Sequence, residues 1–336
     1  MQAVLKLSWN WGTGNRYRRL HSIGRGRAIT AGVRRSALDS RGCPRLRSDG
    51  GDGGMSFKRL ARGGLAGFLA HHRTPARTVF FQHIPKTAGI SICRELADRA
   101  PFLRAIDRRV LIPAHEIGPR DAPDLDPLAA HFAPPGRRAD GQRAAGGHVY
   151  QDWVSQIRMR FPETCLLSAV RDPVARYVSD YVFRTTPRHR GHRAFVRRFP
   201  TLCSYVGCPG EENKMCRFLF QGDDFGRISD PAACRAAVER VLAAYDFLIV
   251  QEFYPMCLQI VLQMLGHAGD RPRWHENGPV GPQQDLPAGL RRRIEDLNWM
   301  DVILYDRARA LIAARHGEWL GEYALGSLGT PGSRHI

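Results

Sequence analysis

Lysine is nearly missing from this chain. Of 50 basic residues only Lys6, Lys58, Lys86 and Lys214 are lysine; the rest are arginine. Acidic residues are also few, 32 in all, leaving a net charge of +18 over 336 residues. That balance favours anionic partners (nucleotides, sulfated or phosphorylated glycans, nucleic acid, a membrane surface) without choosing among them. The eight cysteines, Cys43, Cys93, Cys165, Cys203, Cys208, Cys216, Cys234 and Cys257, form no C-x-x-C pair, and no histidine cluster has zinc-finger spacing. The common zinc modules are thereby excluded. No apolar run approaches the roughly 20 residues that span a bilayer. Residues 63–70 are too short and too rich in glycine, and residues 255–265 have the length of a buried core helix. No continuous apolar stretch opens the chain, so a secretory signal is not expected. The thiols are therefore expected to be free, with Cys93, Cys165 and Cys257 as small core residues.

Residues 1–54 carry ten arginines and Lys6 against Asp39, Asp49 and Asp52, and lack sustained apolar periodicity. This composition predicts disorder. The expected division is a basic extension over 1–75, one domain over 76–320 and a flexible tail over 321–336. Met55 is an alternative start, and an Arg-rich transit peptide the competing reading. The expected location is cytoplasmic, or alternatively peripheral to a membrane.

Two segments carry chemistry. Residues 78–91 read TVFFQHIPKTAGIS. The β-branched and aromatic run to Ile84 predicts a buried strand, and Pro85 ends it. Lys86 and Thr87 follow, then Ala88 and Gly89, whose small side chains let a ligand approach the backbone. From about Ile90 a helix begins. A strand, a tight turn with Lys-Thr and a helix N-terminus together offer orphan N–H groups, a positive dipole end and a lysine to an anion. Residues 164–184 read TCLLSAVRDPVARYVSDYVFR. A strand over 165–170 ends at Arg171-Asp172-Pro173. Pro173 suits a first helical turn, Asp172 suits its cap, and Ser179 falls two turns along. Further strands and helices alternate with these, including a strand near 246–251 and helices near 233–244, 254–265, 287–297 and 299–315. The order predicts an α/β fold, a mostly parallel sheet flanked by helices. Residues 118–143 and 186–213 read as surface insertions, the second with the basic run TPRHRGHR as a rim for an acidic acceptor.

F-x-H-I-P-K-T-A-G-x-S and R-D-P-V-x-R-x-x-S-x-Y, in this order, resemble the 5′- and 3′-phosphate motifs of PAPS-dependent sulfotransferases. The carbohydrate type that includes heparan sulfate 2-O-sulfotransferase is the nearest resemblance. Weaker echoes lie at GGHVYQDW (146–153), NKMCRFLF (213–220), DFLIVQEFYPMCLQIVLQMLG (246–266) and LNWMDVILYDRARAL (297–311), so the resemblance spans about residues 78–316. It departs at Ile90, where the family usually has Thr or Ser. The resemblance implies a P-loop-NTPase-like sulfotransferase fold and sulfuryl transfer from PAPS to an acceptor hydroxyl, on a saccharide. It implies Lys86, Thr87, Ala88, Gly89, Ile90 and Ser91 around the 5′-phosphosulfate, with Lys86 also catalytic. Arg171 and Ser179 would hold the 3′-phosphate, and His148 would be the general base. His83, Tyr150 and Arg184 would face the acceptor, His115 and His131 are lesser rivals as base, and the loop 274–282 would close over the nucleotide. No metal is implied.

Two other classes compete. A P-loop kinase or NTPase also uses strand, loop, Lys-Thr and helix, but G-x-x-x-x-G-K-[ST] is absent: Gln82-His83-Ile84-Pro85 contains no glycine. A non-enzymatic polyanion-binding protein draws on the net charge alone, with no zinc finger or RNP motif beside it.

Overall fold

The computed structural model describes residues 18–19, 57–72, 77–106, 125–133, 141–220, 222–267, 270 and 286–321. Cys43, Met55, His115, the loop 274–282, almost all of the 321–336 tail and most of the basic extension lie outside them. Six strands form one sheet: β1 (Arg18–Arg19), β2 (Thr78–Gln82), β3 (Phe102–Ile106), β4 (Arg143–His148), β5 (Cys165–Val170) and β6 (Phe247–Val250). Their order is β1-β3-β4-β2-β5-β6, and every pairing is parallel. β5 and β6 are buried at every position and β2 at all but its first residue, so both faces of these strands are covered. That is why they read as unbroken apolar runs rather than as alternation.

The helices are α1 (Lys58–His71), α2 (Gly89–Ala97), α3 (Asp126–Phe132), α4 (Gln151–Arg160), α5 (Pro173–Thr185), α6 (His192–Arg198), α7 (Leu202–Tyr205), α8 (Lys214–Leu219), α9 (Gly222–Arg227), α10 (Pro231–Ala244), α11 (Tyr254–Met264), α12 (Ala288–Leu297) and α13 (Trp299–Ala313). α11 is buried along almost its whole length, as its apolar run predicts. Asp172 caps α5 as expected, accepting from the Ala175 N–H at 2.7 Å.

Three features differ from the sequence reading. β3 and β4 were not anticipated. β4 is Arg-Ala-Ala-Gly-Gly-His, a poor strand former by propensity, and its small residues answer to crowding. A Cβ on Gly147 would lie 1.5 Å from the Ala105 carbonyl oxygen, and one on Gly146 would lie 2.7 Å from that of Phe81. The insertions are structured in part: 118–143 contains α3 and the start of β4, and 186–213 contains α6 and α7. Phe195, Tyr205 and Val206 from the second form a small core with Val174, Tyr177 and Ile294. Finally, the folded unit begins upstream of residue 76. Phe57, Leu60, Leu65 and Phe68 are fully buried, and the rings of Phe57 and Phe68 pack on Phe247 of β6. Glu318, beyond α13, accepts from the Leu65 N–H at 2.8 Å, fastening this segment to α1.

Candidate active site

The site is built at the carboxyl ends of β2, β4 and β5, where open parallel sheets bind ligands. Behind β2 the chain turns through Lys86 (φ 71°) and Ala88 (φ 63°) into α2. Two non-glycine residues with positive φ in one turn are uncommon. Such a turn gathers successive N–H groups into a concavity that fits an anion. The backbone N–H groups of residues 86, 88, 89 and 90 donate to no backbone acceptor among the described residues. Thr87 is fully buried and donates its hydroxyl to the Ile84 carbonyl at 2.9 Å, which closes the turn. Ser91 is buried, and Ile90 is 42% exposed at the lip. Gly89 has a different reason from the one its smallness suggests. A Cβ there would sit 1.8 Å from the His83 ring, so this glycine lets α2 close over the histidine.

The second segment meets the first directly. Arg171 Nη1 donates to the Lys86 carbonyl at 3.2 Å, joining residues 85 positions apart. Ser179, 3% exposed on α5, has no hydrogen-bond partner among the described residues. The Lys86 ammonium has no carboxylate within bonding distance among them either; it lies 4.3 Å from the centre of the Phe183 ring. Burial lowers its pKa, with Asp180 opposing and Arg171 adding to the fall.

His148 ends β4. Its Nδ1 lies 2.7 Å from the His83 carbonyl oxygen. A carbonyl only accepts, so Nδ1 carries the proton and Nε2 keeps its lone pair. The two imidazoles stack at 4.1 Å. Burial holds His148 down to about 4, the His83 hydrogen bond opposes this, and Arg104 and Lys214 push the same way as burial. His83 is buried and held well below 6.5, by burial first and then by His148. Its ring lies between Gly89 and His148. Tyr150 precedes α4 and packs on Phe218 at 4.9 Å. His131 is bonded to the Ala144 carbonyl, at the opposite end of β4 from His148. Arg184 is committed within the protein: it donates to Asp180 at 2.7 Å and to Glu211 at 2.6 Å.

Beneath the site runs a polar framework. Gln82 donates to the carbonyls of Val149 and Phe218, each at 2.9 Å, and its own carbonyl accepts from Ser168. These bonds fix the chain after His148 against the chain after Lys214. Asp301 accepts from the N–H groups of Met215 and Cys216 at 3.0 and 2.8 Å, and Asn213 and Asn298 complete the clamp. The two distant echoes NKMCRFLF and LNWMD are thus partners. They place Lys214 in an ion pair with Glu211 at 2.7 Å, near enough to His148 and Asp180 to shift both. Lys214 was missed from the sequence. Its signal was its rarity: of four lysines in the chain, two converge here. Arg104 of β3, exposed beside His83 and His148, had no such signal.

Among the described residues seven cysteines are free, and no group of three or more His, Cys, Asp or Glu residues could hold a metal ion. No described helix is long and apolar enough to cross a membrane.

Acid should weaken this fold in a defined window. His72 and His148 are both held to about 4, against 6.5 when unfolded, and His83 is held lower than 6.5 as well. The unfolded chain therefore binds more protons between those values, and the stability these groups lend is present above 6.5 and lost as pH falls toward 4. Asp246 and Asp301, which burial pushes up, act in the opposite sense. His72 isolates the effect: it is buried against Phe68 at 4.7 Å and its Nε2 has no partner among the described residues. His72→Phe should flatten the fall of Tm between pH 6.5 and 4. An unchanged slope would mean that His72 is not buried in its neutral form.

No protein-family model matches this chain, and no curated protein matches it. Solved structures similar to it include a sulfotransferase from Alicyclobacillus acidocaldarius, at 17% identity over 73% of this chain and 98% of that one, with a TM-score of 0.43. A mouse sulfotransferase complexed with PAP is similar at 12% identity over 75% of this chain and 93% of that one, with a TM-score of 0.37.

Proposed function

We propose that this chain is a sulfotransferase that moves a sulfuryl group from PAPS to an acceptor hydroxyl. The saccharide nature of the acceptor rests on the motif resemblance alone. One observation carries the reading: the N–H groups of residues 86 and 88–90, without a backbone acceptor among the described residues, and the Lys86 ammonium are tied through the Lys86 carbonyl to Arg171. An anion-binding turn and a guanidinium are thereby set side by side, as a nucleotide with two separated phosphates requires. PAPS supplies the sulfuryl group on its 5′-phosphate. The turn's N–H groups and Lys86 receive the negative charge that grows on the bridging oxygen as the S–O bond to phosphate breaks. Arg171 and the unpartnered Ser179 hydroxyl receive the 3′-phosphate, an arginine's fork suiting that dianion. His148 Nε2 takes the proton of the acceptor hydroxyl as its oxygen bonds to sulfur. Ile90 adds no hydroxyl to the phosphate site, and the N–H of residue 90 serves in its place.

The test compares two nucleotides by calorimetry: PAP and the same nucleotide without its 3′-phosphate. PAP should bind tenfold or more tightly, since a charge-assisted contact is worth roughly 1.5–3 kcal/mol. Arg171→Ala should remove most of that preference. Equal binding of both by the wild type, or tight binding of ADP with magnesium, would return the site to the kinase and NTPase class.

A further inference from the structure

The Lys86 ammonium rests against an aromatic ring instead of an acid. Phe183 lies one turn beyond Ser179 on α5, so both side chains leave the same side of the helix. Its ring is 4.3 Å from Lys86 Nζ and is backed by His189, edge to face at 5.7 Å. Asp180, the acid that acts on Lys86, already accepts from Arg184 and from the Tyr205 hydroxyl, both at 2.7 Å. Glu211 is likewise taken by Arg184 and Lys214. Both of these carboxylates are engaged, and the ammonium lies against the ring.

We propose that Phe183 is a positioning residue for Lys86, a resting place that holds the ammonium out of an ion pair until an anion enters the turn. A ring face holds a cation more weakly than a carboxylate does. An arriving phosphosulfate therefore displaces a soft contact, and no salt bridge has to break. The identity of that anion rests on the donor reading above; the ring contact does not.

With only four lysines in the full chain, side-chain NMR can follow Lys86, its signals assigned by their disappearance in Lys86→Arg. In the free wild type the Lys86 Cε protons should be shifted upfield by the ring. Phe183→Leu should abolish that shift, and Phe183→Tyr, which keeps the ring face, should retain it. Saturating PAP should move the wild-type signals back toward those of Lys58. In turnover, Phe183→Leu removes a contact that donor binding must displace, so it should lower the donor KM about two- to fivefold, the range of one exposed cation–π contact; a raised KM would overturn the release. Unshifted Lys86 signals in the free wild type, or a shift that survives Phe183→Leu, would overturn the contact. A shift that persists in saturating PAP would overturn the release. Absence of PAP binding would overturn the donor reading and the release with it, while the contact stands or falls on the spectra of the free chain.

Discussion

His148→Ala is expected to lower turnover by about 10²–10⁴, the contribution typical of a positioned general base, while leaving PAP affinity near that of the wild type. The His83 carbonyl holds the Nδ1 proton and leaves the Nε2 lone pair available to take one. His148→Asn should not restore the rate, because an amide hydrogen-bonds but does not take a proton. The pH profile carries a second check. His148 is held to about 4 in the free chain. The acid limb of kcat/KM, which reports the free enzyme, should therefore lie well below the ordinary histidine value of 6.5, with the rate falling as pH drops through it. His148→Asn should lose that limb. Near-normal turnover in His148→Ala would move the base elsewhere, and loss of PAP binding would place the histidine in the nucleotide site.

Lys86→Ala should lower kcat by about 10²–10³, as removal of a donor aimed at developing negative charge does. Lys86→Arg should recover little. The turn at residue 86 has φ of 71° and its carbonyl is held by Arg171, so a broad guanidinium has no room to adjust its approach, and it is not equivalent to a compact ammonium. Full activity in Lys86→Ala, measured by transfer of labelled sulfate from PAPS to extracted glycans and small phenols, would remove the turn from the mechanism. The same panel would identify the acceptor.

Much of this was legible along the chain. β2, β5 and β6 are short apolar runs buried on both faces, and α5 carries its Asp-Pro start in its own sequence. The anion turn and the Arg171 segment are local devices: strand end, turn and helix start lie within a dozen residues, so spacing alone places Lys86, Arg171 and Ser179 near strand ends. β3 and β4 were not legible, because β4 is made of glycine and alanine for the sake of its neighbours' carbonyls. That requirement exists only once the strands are side by side. The early core helix α1 was hidden for a similar reason, its glycines masking four residues that pack on β6 and its surroundings.

The chemistry divides along the same line. Sequence by itself determined which groups are available: a lysine in a turn where nearly every other cation is arginine, an arginine at a strand end with a serine on the helix after it, and a histidine after two glycines. Tertiary structure decided their states. It set the His148 tautomer through the carbonyl of His83, 65 residues away, and it paired Arg184 with Asp180 and Glu211. It brought Lys214 in through a clamp closed by Asp301, and it laid Lys86 on Phe183. A hydrogen bond or a ring contact acts over a few ångströms, and all of these pairs but Arg184–Asp180 lie 27 to 97 positions apart, a separation that only the tertiary fold closes.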